Sequence, residues 1–270
     1  MNDKNNHYLN ESFNLFQSYS YTLLLQFEAK LFSYAIVYKN RLMAYRQNLA
    51  FYELKEPGEL HDLLSATYKK IVIGLPAKGL TLVPKTLFNN NPVADFARFL
   101  DVKDSEKVFA QTLDDQNIIV YKTDGAIVSA IEKFDLQNTV YTAKGWIKAI
   151  SISTQSITKL YLEIGRDNVQ FLYFNAGILR FYNTFEISDE DDLAYFSSLV
   201  TGELNLNPEL TTLVLSGEVE PGDKYMSRLA GFFRKVELND MLIIDLPWHI
   251  STHKIMALAA LTLCGSSEVL

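Results

Sequence analysis

Cysteine is nearly absent. Cys264 is the only one in 270 residues, so no intrachain disulfide and no multi-cysteine metal cage can form, and a reducing, cytoplasmic setting is expected. Basic residues are outnumbered, with 25 Lys and Arg against 32 Asp and Glu, a net charge of -7 and a pI near 5.2. Phosphate backbones and anionic lipid surfaces are held by clustered cations that displace counterions, so nucleic acid is not an expected partner. Long apolar runs are missing too: Ile255 to Cys264 falls well short of the roughly 20 residues that span a bilayer. The opening MNDKNNHYLNES has no apolar segment behind a basic start, so no signal peptide is expected. There is no Gly-x-Ser-x-Gly pattern either, which removes the simplest signature of a serine hydrolase.

What the chain does have is apolar and aromatic material, 48% and 13% of its residues, enough for one large core or two medium ones. The densest part runs from Thr158 to Glu186, TKLYLEIGRDNVQFLYFNAGILRFYNTFE. It reads as three strands joined by tight turns at Gly165-Arg166-Asp167 and Asn175-Ala176-Gly177. Moved back by 137 residues (163 minus 26), without gaps, it lies over TLLLQFEAKLFSYAIVYKNRLMAYRQ. Leu23, Leu25, Leu42 and Tyr45 then coincide with Leu160, Leu162, Leu179 and Tyr182. The chain reads as one unit used twice.

The first unit is expected to start after a loose polar tail of about 14 residues. Strands are expected at Tyr21 to Phe27, Phe32 to Tyr38 and Leu42 to Phe51; apolar on both faces, they call for helices on both sides of the sheet. A helix over Glu59 to Tyr68 and a strand over Lys70 to Gly74 follow. Next come a strand at Leu80 to Pro84, a polar break at Asn89 to Pro92, and a helix over Val93 to Leu100. The charged stretch through Asp115 has no clear period. A strand at Asn117 to Tyr121, a helix over Asp124 to Phe134, a strand at Val140 to Thr142 and a helix over Ala143 to Ser151 complete the unit. The second repeats the plan. After its three strands come a helix over Leu193 to Leu204, a strand at Thr211 to Ser216 and a helix over Asp223 to Phe233. Strands at Lys235 to Leu238 and Met241 to Leu246 and a helix over Ser251 to Cys264 end it. The expected domains are 1–154 and 155–270.

Three short patterns invite sharper readings and do not sustain them. Gly74-Leu75-Pro76-Ala77-Lys78-Gly79-Leu80-Thr81 has phosphate-loop spacing, but Leu80 stands where Lys is essential and a strand follows. His249 and His253 are four apart, yet Ser251 or Thr252 reads as a helix cap between them, so they are not expected to share a face. Ser188-Asp189-Glu190-Asp191-Asp192 lacks the alternating ligands and Gly of a calcium loop; it fits an acidic helix start.

With LEIGRDN at Leu162 to Asn168, LSGEVEPGD at Leu215 to Asp223 and IVIGLPAKGLTLVP at Ile71 to Pro84, the duplicated β-β-β-α-β-α order resembles the actin-like ATPase superfamily. That superfamily takes in actin, heat-shock chaperones, sugar kinases, and pilus-assembly and cell-division members. More closely, the chain resembles an uncharacterised bacterial family with that fold. The resemblance implies an α/β, ribonuclease H-like duplication: two lobes, each a mixed sheet flanked by helices, around a central cleft. In working members each half carries Asp, one residue, then Gly, with a hydroxyl residue following. The carboxylate holds hydrated magnesium, and Gly lets backbone amides reach phosphate. Here the first half has Gln26-Phe27-Glu28, without the carboxylate and with an anion where phosphate would lie. The second half keeps Glu163 and Gly165, with Asn168 where Thr or Ser is usual. Glu is longer than Asp by about 1.5 Å. The adenosine-contacting Gly-Gly pair reads Ser216-Gly217-Glu218.

The resemblance therefore implies a vestigial nucleotide site at Glu163, Gly165, Asn168, Ser216 and Gly217. No catalytic residue, bound metal or cofactor is expected. The implied role is an interaction or scaffold module with a protein partner or a second copy of itself. The alternative is a working Mg-ATP-dependent ATPase or phosphotransferase using the second-lobe motif.

Overall fold

The β-branched and aromatic runs after Ser20 become strands, as their composition requires. The structure, a computed structural model, describes residues 6–88, 93–134, 136–153 and 158–265. The expected break at Asn89 to Pro92 lies outside the described residues. The chain divides into two units, Met1–Gly145 with Leu258–Leu270, and Trp146–Ala257. This differs from a cut at 154/155. The division falls inside a helix, and the last residues group with the first unit, where the Lys70 ammonium donates to the Cys264 carbonyl at 2.6 Å.

In the first unit the strands are β1 (His7–Leu9), β2 (Thr22–Phe27), β3 (Leu31–Tyr38), β4 (Arg41–Ala50) and β5 (Lys70–Leu75). Then come β6 (Gly79–Pro84), β7 (Glu106–Thr112), β8 (Asn117–Asp124) and β9 (Thr139–Tyr141). The helices are α1 (His61–Ser65), α2 (Lys85–Phe88), α3 (Val93–Ala97), α4 (Gly125–Ile131) and α5 (Lys144–Ile152), the last crossing into the second unit. The main sheet has the order β1-β4-β3-β2-β5-β9, and β6-β8-β7 form a separate three-stranded sheet. Leu23, Leu24 and Leu25 of β2 are all fully buried, so both faces of this sheet are covered.

The second unit contains β10 (Lys159–Ile164), β11 (Asn168–Asn175), β12 (Ile178–Glu186), β13 (Thr212–Gly217) and β14 (Lys235–Leu238). Its helices are α6 (Glu190–Glu203), α7 (Lys224–Leu229) and α8 (Thr252–Ala260). Its sheet runs β12-β11-β10-β13-β14, the same path as β4-β3-β2-β5-β9. Leu160, Leu162, Ile164, Phe171, Leu213 and Leu215 pack one face against Leu193 and Val200 of α6 and Leu229 of α7. Each such fully buried side chain is worth roughly 1.5–3 kcal/mol.

The duplication holds in detail. Shifted by 137, β2 and β3 start and end with β10 and β11. Leu24↔Ala35 becomes Tyr161↔Leu172, and Val37↔Leu42 becomes Phe174↔Leu179. The register slip between Ile36 and Val37 recurs between Tyr173 and Phe174. The turn residues Lys39 and Asn40 have φ of 43° and 67°; Ala176 and Gly177 have 51° and 79°. Two positive φ values in a row make the hairpin turn whose twist matches that of the strands.

Several expectations change. The N-terminal stretch is not a loose tail over its described residues: β1 pairs antiparallel with β4, and Phe13 stacks on Tyr21 at 5.8 Å. Tyr8 and Leu9 supply the strand propensity that the surrounding polar residues hide. The unassigned charged stretch contains β7. Its Glu106 carboxylate is buried against Lys122 of β8 at 2.9 Å, and Lys122 also donates to the Asp101 carbonyl. Met241 to Leu246 is not a strand, since Ile244 is buried but Leu242 is exposed. The helix expected over Glu59 to Tyr68 is a 3-10 turn, Gly58–Leu60, followed by α1. The helix expected to reach Phe233 stops at Leu229, ahead of Gly231. At α6 the cap is Asp189, which accepts from the Asp191 and Asp192 amides at 2.9 and 3.0 Å.

Candidate functional site

Parallel pairing of β10 with β13 sets Glu163 beside Ser216 and Ile164 beside Gly217. Antiparallel pairing sets Glu163 beside Gln170 on β11. The five residues expected at a nucleotide site therefore converge at one end of the second sheet. Residues alternate across a strand, so Glu163 and Ser216 lie on the face opposite Leu162, Ile164 and Leu215. That face is covered by α8: the Ser216 hydroxyl is fully buried and reaches the Met256 sulfur at 3.5 Å. Glu163 is 9% exposed.

The backbone donors at this end serve the fold. The Gly165 amide donates to the Asn168 carbonyl at 2.8 Å, the Glu218 amide to the Ile164 carbonyl at 2.7 Å, and the Val219 amide to Gly217 at 2.9 Å. The Asn168 side chain donates to the Asp167 carboxylate at 3.0 Å. A Cβ on Gly165 would come within 3.0 Å of the Asn168 side-chain oxygen. Gly165 thus leaves space that Asn168 itself takes up.

The first unit shows the same frame with other residues. Gln26 pairs with Ser33 and with Gly74, and the Glu28 amide donates to the Leu31 carbonyl at 2.9 Å, matching the Gly165 turn. By these registers Gly74 stands where Ser216 stands, and Leu75 takes the place of Gly217. Gly74 is closed in by Thr142, whose hydroxyl oxygen lies 2.9 Å from where a Cβ would sit. The phosphate-loop spacing from Gly74 to Thr81 is spread over the end of β5, a turn and the start of β6.

His249 and His253 do not come together. His249 precedes α8 and meets the exposed Trp248 edge-on at 5.5 Å. His253, on α8, is buried with its Nε2 3.0 Å from the Val219 carbonyl. Among the described residues no group of three His, Cys, Asp or Glu is placed to hold a metal ion. His253 and Met256, three apart and so on one helix face, hold Val219 and Ser216. The sequence reading missed both, because it examined His253 only for its spacing from His249.

Burial pushes the His253 pKa down; Lys254 adds to this, while the Val219 carbonyl and Glu220 oppose it. A base whose folded pKa is lowered gives stability that is present above its unfolded pKa of about 6.5 and lost as pH falls through the folded value. The depressed carboxylates of Glu190 and Glu237 titrate further down. Between about pH 6.5 and 5 the melting temperature is therefore expected to fall on acidification, and to fall less in His253→Gln, which keeps a donor for Val219 without gaining charge. Parallel wild-type and variant melting profiles would remove His253 as the cause.

No curated protein matches the chain. Among solved structures, the chain is similar to a Bacteroides thetaiotaomicron VPI-5482 protein with an actin-like ATPase fold and unknown function. The identity is 20%, with 94% of this chain and 99% of that one covered and a TM-score of 0.77. It is also similar to a chain of the PilM-PilN type IV pilus biogenesis complex at 12% identity, covering 90% and 97%, with a TM-score of 0.59. At these identities the likeness establishes the fold, which is that of the actin-like ATPases. The sequence itself matches, over residues 10–236, the family described as protein of unknown function (DUF3822), and the chain belongs to that family.

Proposed function

We propose that this chain is an actin-like protein that works as a protein-binding scaffold and has lost productive nucleotide turnover. The observation that carries the reading is the state of the second sheet's end, where the Gly165, Glu218 and Val219 amides and the Ser216 hydroxyl are all engaged within the protein. A phosphate group competing for them would have to break the turn that holds β10 to β11 and β13. In the first unit the corresponding carboxylate is replaced by Gln26. Without the anion that magnesium requires, a triphosphate has little to bind it there. A protein partner is in keeping with the fold's use in the PilM-PilN complex, though fold alone does not assign a function. The lone buried thiol, Cys264, and the chain's acidity support a cytoplasmic protein that leaves nucleic acid alone. Among the described residues no helix is long and apolar enough to cross a membrane.

The competing reading is a working Mg-ATP enzyme. It is favoured by the in-register convergence of Glu163, Gly165, Ser216 and Gly217. Thermal unfolding with Mg-ATP separates the two. A ligand at a hundred times its Kd adds about 2.7 kcal/mol to the folded state, which for a chain of this size is several degrees. We expect no such rise. A rise that disappears in Glu163→Gln would establish the enzyme reading instead.

A further inference from the structure

The two halves treat the outer edge of their third strand differently. In the first unit β1 covers the edge of β4: the Gln47 amide donates to the Asn6 carbonyl at 3.0 Å, and the Asn10 amide to the Met43 carbonyl at 2.8 Å. In the second unit β12 is terminal, and among the described residues no strand lies outside it. A long, flat edge with open backbone groups is a template for pairing with another chain.

The duplication gives the phase of that edge. Residues 43, 45 and 47 of β4 face outward to β1, so 180, 182 and 184 of β12 face outward in turn. Met43 and Leu49, whose places are taken by Arg180 and Glu186, are buried. Arg180 and Glu186 are exposed, lie on the same face of β12, and among the described residues form no salt bridge.

We propose that β12 pairs antiparallel with β12 of a second copy of this chain, about a two-fold axis through Asn183, joining two five-stranded sheets into one. This register sets Arg180 opposite Glu186 at both ends and Phe181 opposite Phe185 twice. Tyr182 and Thr184 face each other as hydrogen-bonded pairs, so the outward backbone groups meet in phase. An edge strand with opposite charges six residues apart on one face is its own complement in the antiparallel sense. A foreign strand has no such match built for it. Asn183 gates the contact: its side-chain oxygen now accepts the Thr184 amide at 2.9 Å, and it must turn away for that amide to reach the partner. The pairing does not depend on whether nucleotide binds.

Sedimentation velocity from nanomolar to high-micromolar protein is expected to show a reversible monomer–dimer equilibrium. Arg180→Glu and Glu186→Arg should each weaken the dimer about tenfold, since two cross-strand pairs turn from attraction to repulsion. The double reversal should restore it, which a folding defect would not allow. Asn183→Cys should crosslink two copies under mild oxidation; the only native thiol, Cys264, is buried. A wild type that stays monomeric throughout, or a dimer indifferent to both reversals, overturns the proposal. The first outcome would leave the edge to a strand from another protein.

Discussion

Gly217→Ala is expected to destabilise the second unit by about 3–5 kcal/mol, enough to leave much of it unfolded near physiological temperature. Gly217 has φ of +89°, a region that costs an L-residue roughly 1–2 kcal/mol. The larger part is contact. A Cβ there would lie 2.1 Å from the Ile164 carbonyl oxygen and 3.0 Å from the Ile164 backbone nitrogen and carbonyl carbon. That same oxygen accepts the Glu218 amide, so relief by moving apart would break the bond that ends the β10–β13 ladder. Gly222→Ala is the control, because it too has positive φ, +73°, but nothing within 4 Å. Urea unfolding should show Gly222→Ala costing only the backbone part. Equal losses in the two variants would show that crowding by Ile164 is not what requires glycine. The result bears on function, because a glycine that the fold itself needs is no evidence for a phosphate beside it.

That distinction marks where sequence reading succeeded and where it did not. The hairpins were legible to the residue because nothing has been inserted between Thr22 and Arg46, or between Lys159 and Asn183, since the doubling. One shift of 137 therefore carries strand ends, bulge and turn together. Beyond them the shift changes: Thr22 pairs with Lys70 and Lys159 with Thr212, a displacement of 142 (212 minus 70). Only the structure could show that Gly74 answers Ser216 and that Leu75, not a glycine, answers Gly217. The convergence of the five site residues was legible from the motif. Their internal engagement was not, because it depends on α8 reaching Ser216 and Val219 from far along the chain. The strand β1 was hidden for a similar reason: three residues, HYL, carry no period, and only an open edge on β4 makes them a strand. Glu106 and Lys122 looked like solvated charges and are a buried pair, because neutralising each other lets both leave water.

The return of the last residues to the first unit yields the other large effect. Gly145→Ala, judged by helix propensity alone, should stabilise α5 by up to about 1 kcal/mol. The structure reverses that sign. A Cβ on Gly145 would lie 2.4 Å from the Ala260 carbonyl oxygen, 2.5 Å from its carbon and 2.8 Å from the Leu261 nitrogen. All three are backbone atoms, so no side chain can rotate aside. The helix and the C-terminal segment must separate along a contact where Ala260 and Leu261 are fully buried. Overpacking usually costs about 1–3 kcal/mol. Here a rigid neighbour on both sides puts the net loss at or above the upper end. Chemical unfolding followed by circular dichroism measures it. A second variant, Ala260→Gly, separates the causes: it removes a buried methyl but leaves the carbonyl in place, so it should not rescue Gly145→Ala. If Gly145→Ala proves neutral or stabilising, α5 and the C-terminal segment are not packed backbone to backbone, and the assignment of Leu258–Leu270 to the first unit loses its closest contact.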